Sequence, residues 1–151
     1  MALRAETVQG LLDQFGIEPT NDGFVEQALT MRSYINEHPS IESHNQPLAT
    51  LGDAVILLLV MNELFKGGKR DSGVMTKKAE SYVKGTALTE AARKRSLEKL
   101  VIWGNGDINK QIWNEGRILG ECLEALFGAV FLEGRMNACQ VIYDKVLAKR
   151  R

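Results

Sequence analysis

The chain has 151 residues, a hydrophobic fraction of 44% and a charged fraction of 25%. This size and composition are typical of one globular domain and exclude two ordinary ones. The two cysteines, Cys122 and Cys139, cannot form the disulfide framework of a small secreted domain and are expected to be buried, reduced thiols. The N-terminus lacks the apolar stretch of a signal peptide, and the longest uninterrupted apolar run, residues 54–61, is too short to span a membrane. A soluble cytoplasmic protein without a membrane partner is therefore expected.

Apolar residues recur at helical spacing along most of the chain. In chain order, helices are predicted over residues 8–15, 24–35, 47–65, 74–84, 86–95, 97–102, 117–132 and from Gly134 to about 149, with a loop at 38–47 and a turn at 104–107. The segment 47–65 is apolar nearly all round after Asp53, which predicts a central buried helix. Because no convincing alternating strand pattern is present, the predicted fold class is all-α.

Charge is unevenly distributed along a chain whose formal net charge is zero. Residues 1–65 hold two basic and nine acidic side chains, whereas residues 66–99 hold ten basic and four acidic ones. Residues 100–134 are again acidic, with two basic and five acidic side chains. A basic segment between acidic ones indicates a polyanionic partner held beside a cation site. A chance difference in charge between helical faces is the alternative, and charge alone does not decide between them.

Carboxylates stand beside two apolar stretches of the predicted helices. Asp53 directly precedes the apolar run 54–61, and Glu121 and Glu124 precede the largely apolar stretch 125–132. The two glutamates are three residues apart and lie on one helix face, where their charges repel unless a cation or proton intervenes. If the two helices cross near these residues, the three carboxylates would form a Mg²⁺ site able to activate water against a phosphodiester. By spacing alone, a solvated helix face remains the alternative.

Four segments resemble, in the right order, the landmarks of the ribonuclease III catalytic domain. They are residues 28–38 (Ala-Leu-Thr-Met-Arg-Ser-Tyr-Ile-Asn-Glu-His), 48–55 (Leu-Ala-Thr-Leu-Gly-Asp-Ala-Val), 75–79 (Met-Thr-Lys-Lys-Ala) and 121–134, which begins Glu-Cys-Leu-Glu-Ala-Leu-Phe-Gly-Ala-Val. The Leu-Gly-Asp-Ala and Glu-Ala-Leu-x-Gly-Ala pieces are the most specific. Because the resemblance extends over residues 24–145, the chain 1–151 is interpreted as a single catalytic domain.

The resemblance implies an all-α domain that forms a two-fold homodimer and cuts double-stranded RNA with Mg²⁺, for which Mn²⁺ could substitute. By position, Asp53 matches the aspartate of the family signature and Glu124 the glutamate of the second acidic motif, which implies that both are catalytic. Together with Glu121 they are the implied metal ligands. Glu121 stands where the family usually has Asp, a change that keeps the carboxylate and adds one methylene. The implied function is an endoribonuclease that processes structured RNA precursors such as rRNA.

The sequence departs from the family pattern upstream of Asp53. The signature usually reads Glu-x-x-Glu-x-x-x-Asp, and its two Glu positions are occupied here by Gln46 and Ala49. Ala49 cannot bind a metal through its side chain, whereas Gln46 could support the site with a neutral oxygen. A reduced acidic set also occurs in the compact Mini-III branch of the family, which is similar in having Leu-Ala before its Gly-Asp-Ala and no double-stranded RNA-binding domain. The alternative is a catalytically degenerate module that binds RNA or assembles with a partner without cutting.

Basic side chains of the domain itself are expected to hold the RNA. A-form RNA is contacted through its phosphates and 2′-hydroxyls, so such side chains suffice without sequence readout. The candidates are Lys77, Lys78 and Lys84, of which the first two lie in a segment that resembles a family landmark. For each lysine alone, a solvated helix face is the alternative. The helix at 47–65 fits the implied homodimer, because it has more apolar surface than one small domain covers.

Overall fold

The computed structural model describes residues 5–18, 22–83 and 86–148. The helices in these ranges are α1 (Ala5–Phe15), α2 (Phe24–Ala28), α3 (Arg32–Glu37), α4 (Gln46–Lys66), α5 (Ser72–Val83), α6 (Thr86–Lys94), α7 (Asn105–Lys110) and α8 (Ile118–Val146). Short 3-10 turns lie at Leu97–Lys99 and Ile112–Asn114. Within these described ranges there is no β-strand, and one isolated parallel bridge joins Thr30 to Ile102. The all-α prediction is confirmed.

The core of the domain is built around α8. Every residue from 122 to 130 of this helix is buried, and α4, α6 and α2 pack against it. A helix that is covered on all sides must carry small or apolar residues on every face, and the stretch 125–132 consists of such residues. The helical path breaks at Arg135, with φ 62° and ψ −164°, and then continues to Val146. The break lies one residue beyond Gly134, where the sequence predicted that one helix ends and another begins.

The helix α4 is central, as predicted, but only one of its faces is buried. One face, which includes Val55, Ile56 and Leu59, is buried against the core. The other face is open: the exposed fractions of Leu57, Leu58 and Phe65 are 40%, 55% and 53%. The open face agrees with the expectation that α4 has more apolar surface than one small domain covers. By length and composition alone α4 could also cross a membrane, a test that core helices of soluble proteins pass as well.

Glycines let α4 and α8 cross with their backbones in contact. A Cβ added at Gly52 would overlap the carbonyl oxygen of Glu124 and lie 2.9 Å from the backbone nitrogen of Gly128. A Cβ added at Gly128 would in turn overlap the carbonyl oxygen of Leu48. Small residues at such a crossing allow an approach that larger side chains would prevent. The crossing places Asp53, the neighbour of Gly52, close to Glu124.

Two local predictions were wrong for the same reason. The predicted helix 24–35 is divided into α2 and α3, because Leu29 and Met31 form backbone hydrogen bonds with Ile102 at 2.7 and 3.1 Å. The predicted turn at 104–107 is largely the start of α7, whose Asn105 N–H donates to the Glu37 carboxylate. Both arrangements depend on partners about 70 residues away, which helical periodicity does not register.

Candidate active site

The carboxylates singled out in the sequence line one cavity at the crossing of α4 and α8. The cavity has a volume of about 570 Å³. Three stretches of chain form its wall: the start of α3, the start of α4 and the start of α8. The lining residues are Met31, Arg32, Ser33, Asn45, Gln46, Ala49, Thr50, Asp53, Arg117, Ile118, Glu121 and Glu124.

The carboxylates of Asp53, Glu121 and Glu124 occupy different depths in this cavity. Asp53 on α4 and Glu121 in the first turn of α8 are exposed. Glu124 is buried, with an exposed fraction of 7%. Its depth follows from the helix crossing, because the backbone of Glu124 lies against Gly52. The predicted convergence of the three residues on one cavity is therefore observed, with Glu124 at its floor.

The environment of Glu124 favours the protonated carboxyl. The pKa of Glu124 is raised from 4.5 to about 7, first by burial and then by the negative charges of Asp53 and Glu121. The guanidinium of Arg117 opposes this shift, with its Nη2 atom 3.5 Å from the Oε1 atom of Glu124. A carboxyl group held at such a pKa near other carboxylates is typical of functional sites, and a bound cation would stabilise its charged form.

The donor chemistry of the cavity fits a hard divalent cation. Its potential ligands are carboxylate oxygens and the amide oxygen of Gln46, the kind of ligand that Mg²⁺ prefers. In the described part of the chain, no three His, Cys, Asp or Glu side chains are already grouped closely enough to hold a metal ion. Exposed side chains change rotamer rapidly, so Asp53 and Glu121 are free to turn toward Glu124 when a cation offsets their repulsion.

Both departures from the expected signature lie in the wall of the cavity. Gln46 is the first residue of α4 and is exposed, and Ala49 follows one turn later and is half-buried. Because α4 presents the side chains of residues 46, 49, 50 and 53 to the cavity, a carboxylate at position 49 would point toward the same space. Ala49 thus removes one oxygen ligand from the site itself.

The lysines proposed from the sequence are not part of this cavity. Lys77 and Lys78 are exposed on α5, which packs against α4 and α6 rather than lining the acidic cleft. Lys84 lies outside the described residues. The role of these lysines in RNA binding stays a prediction.

Sequence reasoning identified Gln46 but missed the two arginines of the site and Asn45. Arg117 and Arg32 line the cavity, and buried Asn45 fixes the start of α4, because its N–H donates to the carbonyl of Thr30 at 2.9 Å. Arg117 could have been found from spacing: it precedes Glu121 by four and Glu124 by seven residues, which places all three on one helix face. Nothing in the local sequence indicates that Arg32 or Asn45 belongs to the site.

The two cysteines are buried and free, as expected. Burial raises the pKa of Cys122 to about 12, with a further contribution from the charge of Glu121, and burial alone raises the pKa of Cys139 to about 12. Both thiols are therefore protonated at neutral pH, as is typical of buried structural cysteines. Their role is packing.

Comparisons with known proteins agree with this architecture. The chain is similar to the ribonuclease 3 of Aster yellows witches'-broom phytoplasma, with 37% identity over 143 residues, 94% of this chain and 60% of that protein. It is also similar to the ribonuclease 3 of Streptococcus sanguinis, with 32% identity over 141 residues, 92% of this chain and 61% of that protein. The chain thus spans about 60% of the length of these curated relatives.

The fold is that of a ribonuclease III nuclease domain. A solved nuclease domain of ribonuclease III from Campylobacter jejuni, which has a region involved in dimer formation, superposes with a TM-score of 0.82 at 24% identity, over 92% of this chain and 95% of that one. The model of the Ribonuclease-III-like family matches residues 21–150. The chain belongs to the Ribonuclease-III-like family.

Proposed function

We propose that this protein is a Mg²⁺-dependent endoribonuclease that cuts double-stranded RNA, in the processing of structured precursors such as rRNA. One observation carries the proposal: Asp53, Glu121 and Glu124, which stand in the segments that resemble the acidic motifs of the family, line a single cavity at the α4–α8 crossing. Two buried free thiols favour a reducing compartment, so we place the activity in the cytoplasm.

The proposed metal ligands are Asp53, Glu121 and Glu124, with Gln46 available as a neutral oxygen donor. When bound, Mg²⁺ (or Mn²⁺) supplies Lewis acidity: it activates water and offsets the charge that develops on the phosphodiester. The protein contributes the position of the carboxylates. Glu124 is fixed by burial against Gly52, whereas Asp53 and Glu121 at the mouth of the cavity adjust to the substrate.

The same cavity supports a hydrolytic role better than a purely structural one. A structural position gains nothing from a glutamate whose pKa is raised to about 7 by burial and by neighbouring carboxylates. Such a group destabilises the fold in its charged form unless a cation is present. We infer that a bound cation is part of this arrangement, because it would offset the cost of the charged Glu124.

We further propose that the protein acts as a homodimer joined through α4. The exposed apolar residues Leu57, Leu58 and Phe65 follow helical spacing and form one stripe along this helix. A contiguous apolar stripe on a small domain is typical of a protein interface. The related C. jejuni nuclease domain also has a region involved in dimer formation, and a two-fold dimer would bring two acidic cavities onto one duplex, one for each strand.

Replacing Leu58 with glutamate is expected to dissociate this dimer. Leu58 is 55% exposed, so a single chain tolerates the charge, whereas a desolvated interface does not. We expect the dissociation constant to rise at least about 30-fold, which corresponds to loss of one strong interface contact. Light scattering coupled to size exclusion measures the effect. Ile108→Glu, at a similarly exposed apolar residue on α7, should leave the dimer intact; equal dissociation by both variants would reject α4 as the interface.

The activity is tested by incubating the protein with end-labelled duplex RNA in Mg²⁺ and in EDTA. The proposal expects short duplex products in Mg²⁺ alone and little cleavage of a single-stranded control of the same sequence. The alternative function, an RNA-binding or assembly module without catalysis, is suggested by Ala49. It expects salt-sensitive binding of the duplex and no product in either Mg²⁺ or Mn²⁺.

Restoring the missing carboxylate should strengthen the site. Ala49 lines the cavity on the same side of α4 as Asp53, so Ala49→Glu adds an oxygen ligand where the family usually has one. At low Mg²⁺ we expect about a tenfold higher cleavage rate, because the apparent metal affinity rises. The Mg²⁺ dependence of single-turnover cleavage measures this change. Ala87→Glu, at a half-buried alanine on α6 outside the cavity, is the matched control. An unchanged Mg²⁺ dependence of Ala49→Glu would show that three carboxylates already suffice.

A further inference from the structure

We infer that Arg117 is a substrate-binding residue of this site, whose guanidinium holds a backbone phosphate of the RNA beside the acidic cavity. The inference rests on the proposed function. It adds a positively charged group that would allow the acidic cavity to accept the negatively charged RNA. It comes from geometry: Arg117 lines the cavity together with Asp53, Glu121 and Glu124.

The position of Arg117 is fixed by the backbone rather than by its ion pair. It is the residue before the first turn of α8, and its carbonyl accepts a hydrogen bond from the Glu121 N–H at 2.9 Å. The preceding Gly116 has φ +54°, a left-handed conformation that suits glycine and turns the chain into the helix. The backbone thereby places Arg117 in the wall of the cavity, one and two helical turns before the two glutamates.

The contact between Arg117 and Glu124 leaves the arginine side chain half exposed to solvent. Its Nη2 atom lies 3.5 Å from the Oε1 atom of Glu124, beyond the 2.7–2.9 Å that is typical of strong charge-assisted hydrogen bonds. The side chain of Arg117 is 50% exposed, whereas that of Glu124 is 9% exposed. Arg117 thus lines the cavity with a solvent-accessible side chain, and the planar set of N–H donors of a guanidinium matches a phosphate.

The charge of the cavity makes such a group necessary. Three carboxylates repel an RNA phosphate, and a single divalent cation neutralises only part of their charge. Among the lining residues, the cations are Arg117 and Arg32. The lysines on α5 do not line this cavity. A guanidinium at the entrance offsets the remaining repulsion where the backbone of the duplex must approach.

The inference is tested by binding of a labelled RNA duplex in EDTA, which separates RNA binding from catalysis. Fluorescence anisotropy over about 50 to 200 mM salt gives the dissociation constant and its salt dependence. For Arg117→Ala we expect about tenfold weaker binding and a slope of log K against log salt that is smaller by about one. Arg117→Lys should keep the slope and recover part of the affinity, because it retains the charge and loses the planar fork.

Arg135→Ala serves as the control, because Arg135 lies on the same helix about 27 Å away at 1.5 Å per residue. It should bind duplex as the wild type does. In Mg²⁺, Arg117→Ala should raise KM about tenfold and change kcat less than about twofold, as expected for loss of substrate binding. An unchanged salt slope with a reduced kcat would overturn the inference, because Arg117 would then act through Glu124. Absence of both duplex binding and cleavage in the wild type would instead reject the proposed function itself.

Discussion

Glu124→Gln is expected to abolish RNA cleavage while leaving a folded, more stable protein. Glutamine fills the same space at the floor of the cavity and keeps one oxygen, but it removes the charge that the metal requires. Loss of a buried carboxylate ligand removes several kcal/mol of transition-state stabilisation, so we expect a rate reduction of at least about 10³-fold. Single-turnover cleavage of a duplex in saturating Mg²⁺ measures this effect.

The gain in stability follows from the direction of the pKa shift. Burial and the charges of Asp53 and Glu121 raise the pKa of Glu124 from 4.5 to about 7. The folded protein therefore binds this proton more tightly than the unfolded chain, and its stability falls as pH rises from 4.5 to 7. Above pH 7 the charged Glu124 costs up to about 3 kcal/mol without a cation. Glu124→Gln removes this cost.

Thermal unfolding in EDTA tests the stability effect. At pH 8 we expect Glu124→Gln to unfold several degrees higher than the wild type, and at pH 4.5 the two should differ little. The matched control is Glu121→Gln, which changes an exposed residue of the same cavity and should alter stability much less. A Glu124→Gln protein that cuts RNA at the wild-type rate would remove Glu124 from the site. A Glu124→Gln protein that is less stable than the wild type at pH 8 would contradict the claim that the charged Glu124 destabilises the fold.

Gly52→Ala is expected to separate the two helices that carry the site. A Cβ at this position overlaps the carbonyl oxygen of Glu124 and lies 2.9 Å from the Gly128 nitrogen. Backbone cannot move aside as a side chain does, so α4 must shift from α8. We expect a loss of about 3 kcal/mol or more in the free energy of unfolding, at or above the upper range for overpacking. The displacement also moves Asp53 away from Glu124, so cleavage should fall at least about 100-fold.

Urea unfolding and duplex cleavage measure the two consequences of Gly52→Ala. Gly106→Ala is the matched control: Gly106 lies on α7, and an added Cβ meets no atom within 4 Å. There the substitution should be neutral or slightly stabilising, because alanine favours the helix. Wild-type stability and activity of Gly52→Ala would show that the close crossing of α4 and α8 does not build the site.

The helices that could be predicted are those whose apolar residues recur at helical spacing in the sequence. The apolar stretches of α4 and α8 predicted these helices to within a few residues, including the break near Gly134 that the structure has at Arg135. The three carboxylates that the motif resemblance implied as metal ligands line one cavity, and their role as ligands stays a prediction. The division of 24–35 into α2 and α3 could not be predicted, because it depends on pairing of Leu29 and Met31 with Ile102.

The sequence also could not predict which of the site residues are buried. Glu121 and Glu124 share a helix face and a residue type, yet the first is exposed and the second is buried. The difference arises from the point at which Gly52 meets α8, a tertiary contact that spacing does not encode. For α4, the composition indicated more apolar surface than one domain covers, but which residues form the open face depends on how the helix packs against α8.

The central claim is that a site with three carboxylates, and with Ala49 in place of a fourth, is sufficient for metal-dependent cleavage. Single-turnover cleavage of an end-labelled RNA duplex by the wild type and by Asp53→Asn, each titrated with Mg²⁺ and with Mn²⁺, tests it most directly. We expect a rate that saturates with metal for the wild type and at least about 10³-fold less product for Asp53→Asn. Binding of the duplex by the wild type with no product at any concentration of either metal would contradict it.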